Sequence, residues 1–74
     1  MNVYIVATVD YDHYGIEGIF LNFEKAKEFA RSACERSHSY YNEEVKFWED
    51  EKEASYYREG HGFSWDVETH EVME

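Results

Sequence analysis

The stretch 43-EEVKFWEDEKEASYYREG-60 decides the fold, because it is long enough to form either one helix or two strands. It holds seven carboxylates, three basic residues and four aromatic residues, with no proline and one terminal glycine. Nothing in its interior breaks a helix, and Gly60 is typical of the residue that follows a helix. We therefore predict a helix from about Glu43 to Arg58. A broken helix or a hairpin over residues 40–59 is the alternative.

On a helical wheel this stretch shows two apolar stripes separated by an acidic band. The first stripe contains Tyr41, Val45, Trp48 and Tyr56, the second contains Tyr40, Phe47 and Ala54, and the band contains Glu43, Asp50 and Glu53. One stripe is enough to dock a helix on a sheet. The second stripe indicates either a binding surface for a partner or an ordinary solvated helix face.

The remaining elements follow from their hydrophobic periodicity. The segments 2-NVYIVATV-9 and 16-IEGIFL-21 read as two strands of an antiparallel hairpin, and 63-FSWDVETHEV-72 alternates like a half-buried strand. Between them, Asn22 can cap an amphipathic helix from Phe23 to Ser37. The order ββααβ predicts a small two-layer α+β domain, with an antiparallel sheet of about three strands packed on one or two helices.

The length and the charge of the chain limit the classes of protein to which it can belong. A chain of 74 residues with 43% hydrophobic side chains predicts a single folded domain, residues 1–74. The formal net charge is −10, of which residues 1–42 contribute −2 and residues 43–74 contribute −8. This charge repels nucleic acid and anionic membranes, so direct binding to either is not expected. One cysteine and no secretory or membrane-spanning segment predict a cytoplasmic protein, which includes the cytoplasm of a host.

No pattern in the chain is typical of an enzyme. Asp10, Asp12 and His13 could in principle hold a divalent metal, but they lack the spacing of a calcium loop, so no metal site is predicted. Cys34 falls on the core stripe of the first helix, which favours a small buried side chain over a nucleophile. We expect no catalytic residue and no cofactor.

The motifs 3-VYIV-6, 16-IEGIF-20 and 22-NFEKAKEFA-30 resemble those of small phage and bacterial domains with the order strand, strand, helix, strand. Those domains share an I-x-G-[IV]-F second strand and a K-A-x-x-[FY] helix start. The resemblance implies a phage or mobile-element setting, where small acidic proteins bind and block host machinery. It implies no catalytic residues.

The function predicted from these observations is that of a small acidic protein-binding module. It would be a phage-encoded inhibitor, similar to an anti-CRISPR protein or a DNA mimic, that occupies a basic surface of a host nucleic-acid-handling protein. The predicted partner-binding residues are Tyr40, Glu43, Phe47, Glu49, Asp50, Glu53 and Tyr57. The alternative is a structural homodimer that pairs through the second apolar stripe and has no inhibitory role.

Overall fold

A computed structural model of the chain describes residues 1–10, 13–36, 44–58 and 64–73. Within these ranges it shows five strands and one helix. They are β1 (Asn2–Val9), β2 (Tyr14–Phe20), α1 (Phe23–Arg36), β3 (Val45–Glu49), β4 (Glu53–Arg58) and β5 (Ser64–Glu71). The strands form one antiparallel sheet in the order β2-β1-β5-β4-β3.

The predicted second helix is wrong, and with it the ββααβ order and the three-stranded sheet. The stretch forms the β3–β4 hairpin instead, in which Phe47 lies opposite Tyr56. Its aromatic residues favour strands, and Asp50 supplies the turn. The Asp50 carboxylate accepts hydrogen bonds from the backbone N–H groups of Lys52 and Glu53, each at 2.8 Å. These bonds reverse the chain where a helix was expected to continue.

The first helix was predicted correctly. The Asn22 side-chain oxygen accepts a hydrogen bond from the Lys25 backbone N–H at 3.1 Å, which caps the N-terminus of α1. Ala26, Ala30 and Cys34 lie four residues apart and are fully buried. These small side chains form the stripe that packs on the sheet, as the sequence periodicity indicates.

The core lies between α1 and one face of the sheet. Val6 and Val67 are cross-strand partners in β1 and β5, and both are buried under the helix. Aromatic pairs extend the core at one end, with the rings of Phe20 and Phe29 centred 5.3 Å apart. Ala54, which was predicted to lie on an outer stripe, is 1% exposed and belongs to this core. Of the other members of the predicted second stripe, Phe47 is 61% exposed and Tyr40 lies outside the described residues.

Arg58, the last residue of β4, links the C-terminal end of α1 to the sheet through hydrogen bonds. Its guanidinium donates hydrogen bonds to the backbone carbonyls of Cys34 at 3.3 Å and Glu35 at 3.0 Å. A cation near these carbonyls also complements the negative end of the helix dipole. Across the described ranges, no helix has both the length and the apolar character needed to cross a membrane.

Candidate functional site

The sheet has a second face, which points away from α1 and which we call the open face. Side chains alternate along a strand, so the neighbours of the core residues Val6 and Val67 point to this side. In the described parts of the chain, the one helix packs on the other face. The open face bears Val3, Ile5, Ala7, Val9, Tyr14, Ile16, Ile19, Lys46, Trp48, Glu53, Ser55, Tyr57, Ser64, Asp66, Glu68 and His70.

Three carboxylates, Glu53, Asp66 and Glu68, form an acidic row in the middle of the open face. Glu53 and Glu68 are direct cross-strand partners in β4 and β5, and Asp66 lies two residues from Glu68 on the same side. Like charges directly opposite each other in a sheet destabilise it. The register of the fold therefore brings acidic groups together at a cost to the free energy of folding.

Hydrogen bonds hold two of these carboxylates in place. Asp66 Oδ1 accepts hydrogen bonds from the hydroxyls of Ser55 at 2.6 Å and Ser64 at 2.8 Å. The Tyr14 hydroxyl, from the far strand β2, donates to the Glu68 carboxylate. This hydrogen bond, assisted by desolvation and by the negative charges of Glu68 and Asp66, raises the pKa of Tyr14. These hydrogen bonds orient the Asp66 and Glu68 carboxylates within the chain itself.

Large apolar side chains flank the acidic row on both sides. Tyr14, Ile16 and Ile19 of β2 are 53%, 57% and 63% exposed, and Trp48 of β3 is 49% exposed. Each is on the open face by its register. Exposed apolar patches with polar residues beside them are typical of protein interaction sites.

The charge of the described residues is divided between the two layers. Helix α1 carries four basic and three acidic side chains, a balance of +1, whereas the other described residues carry three basic and ten acidic side chains, a balance of −7. The sheet layer is therefore the acidic side of the molecule. Its field attracts cationic groups and repels nucleic acid.

The predicted partner-binding residues do not form one surface. Tyr40 and Glu43 lie outside the described residues. Phe47 and Glu49 point to the helix side, and Glu53 and Tyr57 point to the open face. Asp50 lies in the turn, where backbone hydrogen bonds from Lys52 and Glu53 lower its pKa. Its Oδ1 atom accepts these local hydrogen bonds at an exposed position of the hairpin.

Sequence reasoning missed the residues that form most of the open face. It did not name Tyr14, Ile16 or Trp48 as binding residues. It also did not name the acidic residues Asp66 and Glu68. The alternation in residues 63–72 did place Asp66 and Glu68 on the outer side of a strand. What it could not show is that β4 is the neighbour of β5, because that pairing depends on the hairpin.

A concave surface, which we call the α1–β3 groove, lies on the helix side of the sheet. It has a volume of about 830 Å³ and is lined by Glu24, Lys27, Glu28, Arg31, Ser32, Glu35, Val45, Phe47, Glu49 and Tyr56. Lys27 contacts Glu24 at 3.0 Å and Glu49 at 3.3 Å. The hydrogen bond to Glu24 is the main cause of a raised pKa at Lys27, so the amine stays charged and is a poor nucleophile.

The residues considered above for metal binding or nucleophilic attack are Asp10, Asp12, His13 and Cys34. Among them, no three His, Cys, Asp or Glu side chains are placed to hold a metal ion. The backbone N–H of Asp10 donates to the carbonyl of His13 at 2.8 Å, which closes this end of the β1–β2 connection, and Asp12 lies outside the described ranges. Burial raises the pKa of the Cys34 thiol, which favours the unreactive thiol form.

No protein-family model, curated protein or solved structure matches the chain. The open face combines an acidic row with exposed apolar side chains, whereas in the α1–β3 groove Lys27 and Arg31 are paired with carboxylates of the chain.

Proposed function

We propose that this protein is a small acidic protein-binding module whose open face contacts a basic surface of another protein. The observation that carries the proposal is the placement of Glu53 directly opposite Glu68, with Asp66 beside them, on a face that α1 does not cover. Binding, rather than catalysis, is the role that this arrangement supports.

Electrostatics favour a cationic partner. The like-charge pair of Glu53 and Glu68 raises the free energy of the isolated protein. A lysine or arginine placed between the two carboxylates would reverse that repulsion and would form charge-assisted hydrogen bonds. Because Asp66 and Glu68 are already oriented by Ser55, Ser64 and Tyr14, little side-chain entropy would be lost on binding.

The exposed apolar residues would supply the desolvated part of the contact. Interface hot spots are enriched in aromatic side chains surrounded by polar groups. Trp48 lies on one side of the acidic row, and Ile16 and Ile19 lie on the other. A partner that buries these side chains would also exclude water from the carboxylates, which strengthens each charge pair.

The partner class that we propose is a nucleic-acid-handling protein of a host cell. Such proteins bind phosphates through lysine and arginine clusters, and an ordered row of carboxylates can occupy the same groove. The resemblance of residues 3–30 to phage and bacterial domains supports a phage-encoded inhibitor. The net charge of −10 supports a protein partner over nucleic acid itself.

The experiment is capture from a nuclease-treated bacterial lysate on three immobilised proteins, followed by mass spectrometry. The three are the wild type, Glu53→Lys and the control Glu28→Lys, which makes the same change in net charge but lies on α1. We expect the wild type and the control to retain a basic nucleic-acid-binding protein that Glu53→Lys loses. Added DNA or RNA, or high salt, should release that protein.

Two results would count against the proposal. One is equal capture by the wild type and Glu53→Lys, which would show that the acidic row makes no contact. The other is a captured protein that neither nucleic acid nor salt displaces, because a phosphate-binding groove would be accessible to both.

A further inference from the structure

Strand β3 forms one edge of the described sheet and carries two exposed aromatic side chains, Phe47 and Trp48. Among the described elements, β4 is its one strand neighbour, so its other side carries backbone groups that can pair with a further strand. Phe47 is 61% exposed and Trp48 is 49% exposed, and they point to opposite faces. We propose that two copies of the chain pair through antiparallel β3 edges to form a dimer with one continuous ten-stranded sheet.

Symmetry fixes the register of this pairing. A twofold axis perpendicular to the sheet pairs each residue with one on the same face, so paired positions differ by an even number. The register that pairs all five residues of β3 (Val45–Glu49) is centred on Phe47. It places Phe47 opposite Phe47 of the second copy, and aromatic pairs across strands stabilise a sheet.

The charges of β3 are compatible with this register. Lys46 lies opposite Trp48 of the second copy, an arrangement that permits a cation–π contact on the open face. Glu49 lies opposite Val45, so neither charged residue faces its own kind. The five paired residues of β3 carry one basic and one acidic side chain, and just beyond them Glu44 lies opposite Asp50 of the second copy, a repulsion that the aromatic pairing has to outweigh.

The opposite edge of the sheet, β2, is less suited to self-pairing. Its register with β1 contains a bulge at Val6 and Ala7, and bulges disfavour edge pairing. The register that pairs all seven residues of β2 is centred on Glu17, which would face Glu17 of the second copy. Like charges at the axis would oppose that dimer.

The α1–β3 groove supplies the space for the second copy. Both helices lie on the same side of the joined sheet, and the two Phe47 side chains occupy the region between them, beside the two grooves. Phe47 already stacks on Tyr56, with ring centroids 5.9 Å apart, so its position is defined before pairing. The two open faces then lie together on the other side. The dimer does not depend on what the open face binds.

The test is sedimentation equilibrium of the whole chain from micromolar to near-millimolar concentration. The wild type should approach twice its monomer mass of 8.9 kDa. Phe47→Lys, which loses the central aromatic contact and sets two lysines at the axis, should weaken dimerisation by roughly tenfold or more. The control Ile19→Lys, at an equally exposed site on β2, should leave the dimer unchanged.

Two further measurements separate loss of pairing from loss of folding. Phe47→Lys and Phe47→Glu should each dimerise more weakly than the wild type when alone, and should form a mixed dimer when combined in equal amounts, because opposite charges then meet at the axis. Phe47→Cys in a Cys34→Ala background should form a disulfide-linked dimer on mild oxidation. Paired Cα atoms are about 4.5–5.5 Å apart in an antiparallel ladder, within disulfide range.

A strict monomer over the whole concentration range would overturn the proposal. A dimer that Phe47→Lys leaves intact would also overturn it, as would disulfide formation as fast at Ile19→Cys as at Phe47→Cys. If a strand of another protein binds β3 while the wild-type chain itself stays monomeric, that result also overturns the proposal.

Discussion

Reversing one charge in the acidic row should stabilise the protein while it removes the proposed binding surface. Glu53→Lys replaces the pair Glu53 and Glu68 by an opposite-charge pair in the same register. The backbone hydrogen bonds of residue 53 with Asp50 are unaffected, because they involve main-chain atoms of that residue. Cross-strand pairs contribute about 0.2–1 kcal/mol, and exposed pairs are partly screened, so we expect a gain of about 0.5–1 kcal/mol in the free energy of unfolding.

The assay is thermal unfolding followed by circular dichroism at low salt. For a domain of this size, the expected gain raises the melting temperature by about 2–8 °C. Glu53→Gln, which removes the repulsion without adding attraction, should give a smaller rise. In 1 M salt the Debye length falls to about 3 Å, so the difference from the wild type should shrink.

The control for this prediction is Glu51→Lys. It makes the same change in net charge but lies in the turn, outside the paired residues of β4. An equal rise in melting temperature for both variants would refute the reasoning, because the gain would then come from net charge and not from the cross-strand pair. A fall in the melting temperature of Glu53→Lys would refute it as well.

Three further predictions concern other parts of the fold. Asp50→Ala should lower the melting temperature at pH 7, because the pKa of Asp50 is lowered in the folded state and the ionised carboxylate therefore stabilises the fold. This contribution is present above the unfolded pKa of 3.8 and is lost as the pH falls through the lower folded pKa, so the two melting temperatures should converge at acid pH. An unchanged difference between wild type and variant at pH 2 would contradict this. Arg58→Ala should speed amide hydrogen exchange in the last turn of α1, because the carbonyls of Cys34 and Glu35 lose their donor, and unchanged exchange there would show that the contact is not stabilising. Calcium, magnesium, manganese and zinc should each leave the melting temperature nearly unchanged, since a ligand at 100 times its dissociation constant would add about 2.7 kcal/mol; a large rise that Asp12→Asn abolishes would identify a metal site.

The elements that the sequence predicted well are those with an unambiguous period. Alternation placed a strand at residues 2–9, and the structure has β1 at Asn2–Val9. Spacing of small apolar residues placed a helix from Phe23, and α1 begins there. The last strand was predicted at 63–72 and is found at Ser64–Glu71. In each case the apolar positions fit either the two-residue period of a strand or the 3.6-residue period of a helix, and they do not fit the other.

The candidate site was only partly accessible to the same reasoning. Phe47, Glu53 and Tyr57 were named and lie in β3 and β4, but on different faces of the sheet. The helical wheel put Phe47 and Ala54 on one apolar stripe and Glu53 in the acidic band, because it assumed 100° between residues, whereas a strand turns by about 180°. Under that wrong period Ala54 became a surface residue, although it is buried against the helix.

The sequence alone determined the acidic character of the chain and the local structure of β1, α1 and β5, because charge is additive and local periodicity reports which side of an element is buried. Only the tertiary structure decided that residues 45–58 form a hairpin at the edge of the sheet. Helix bonds join residues four apart, whereas the residues of β4 pair with residues of β5 that lie 7 to 15 positions away along the chain. That pairing sets Glu53 opposite Glu68 and leaves Phe47 at an edge, and the periodicity of β4 alone does not reveal it because the partner residues belong to another element.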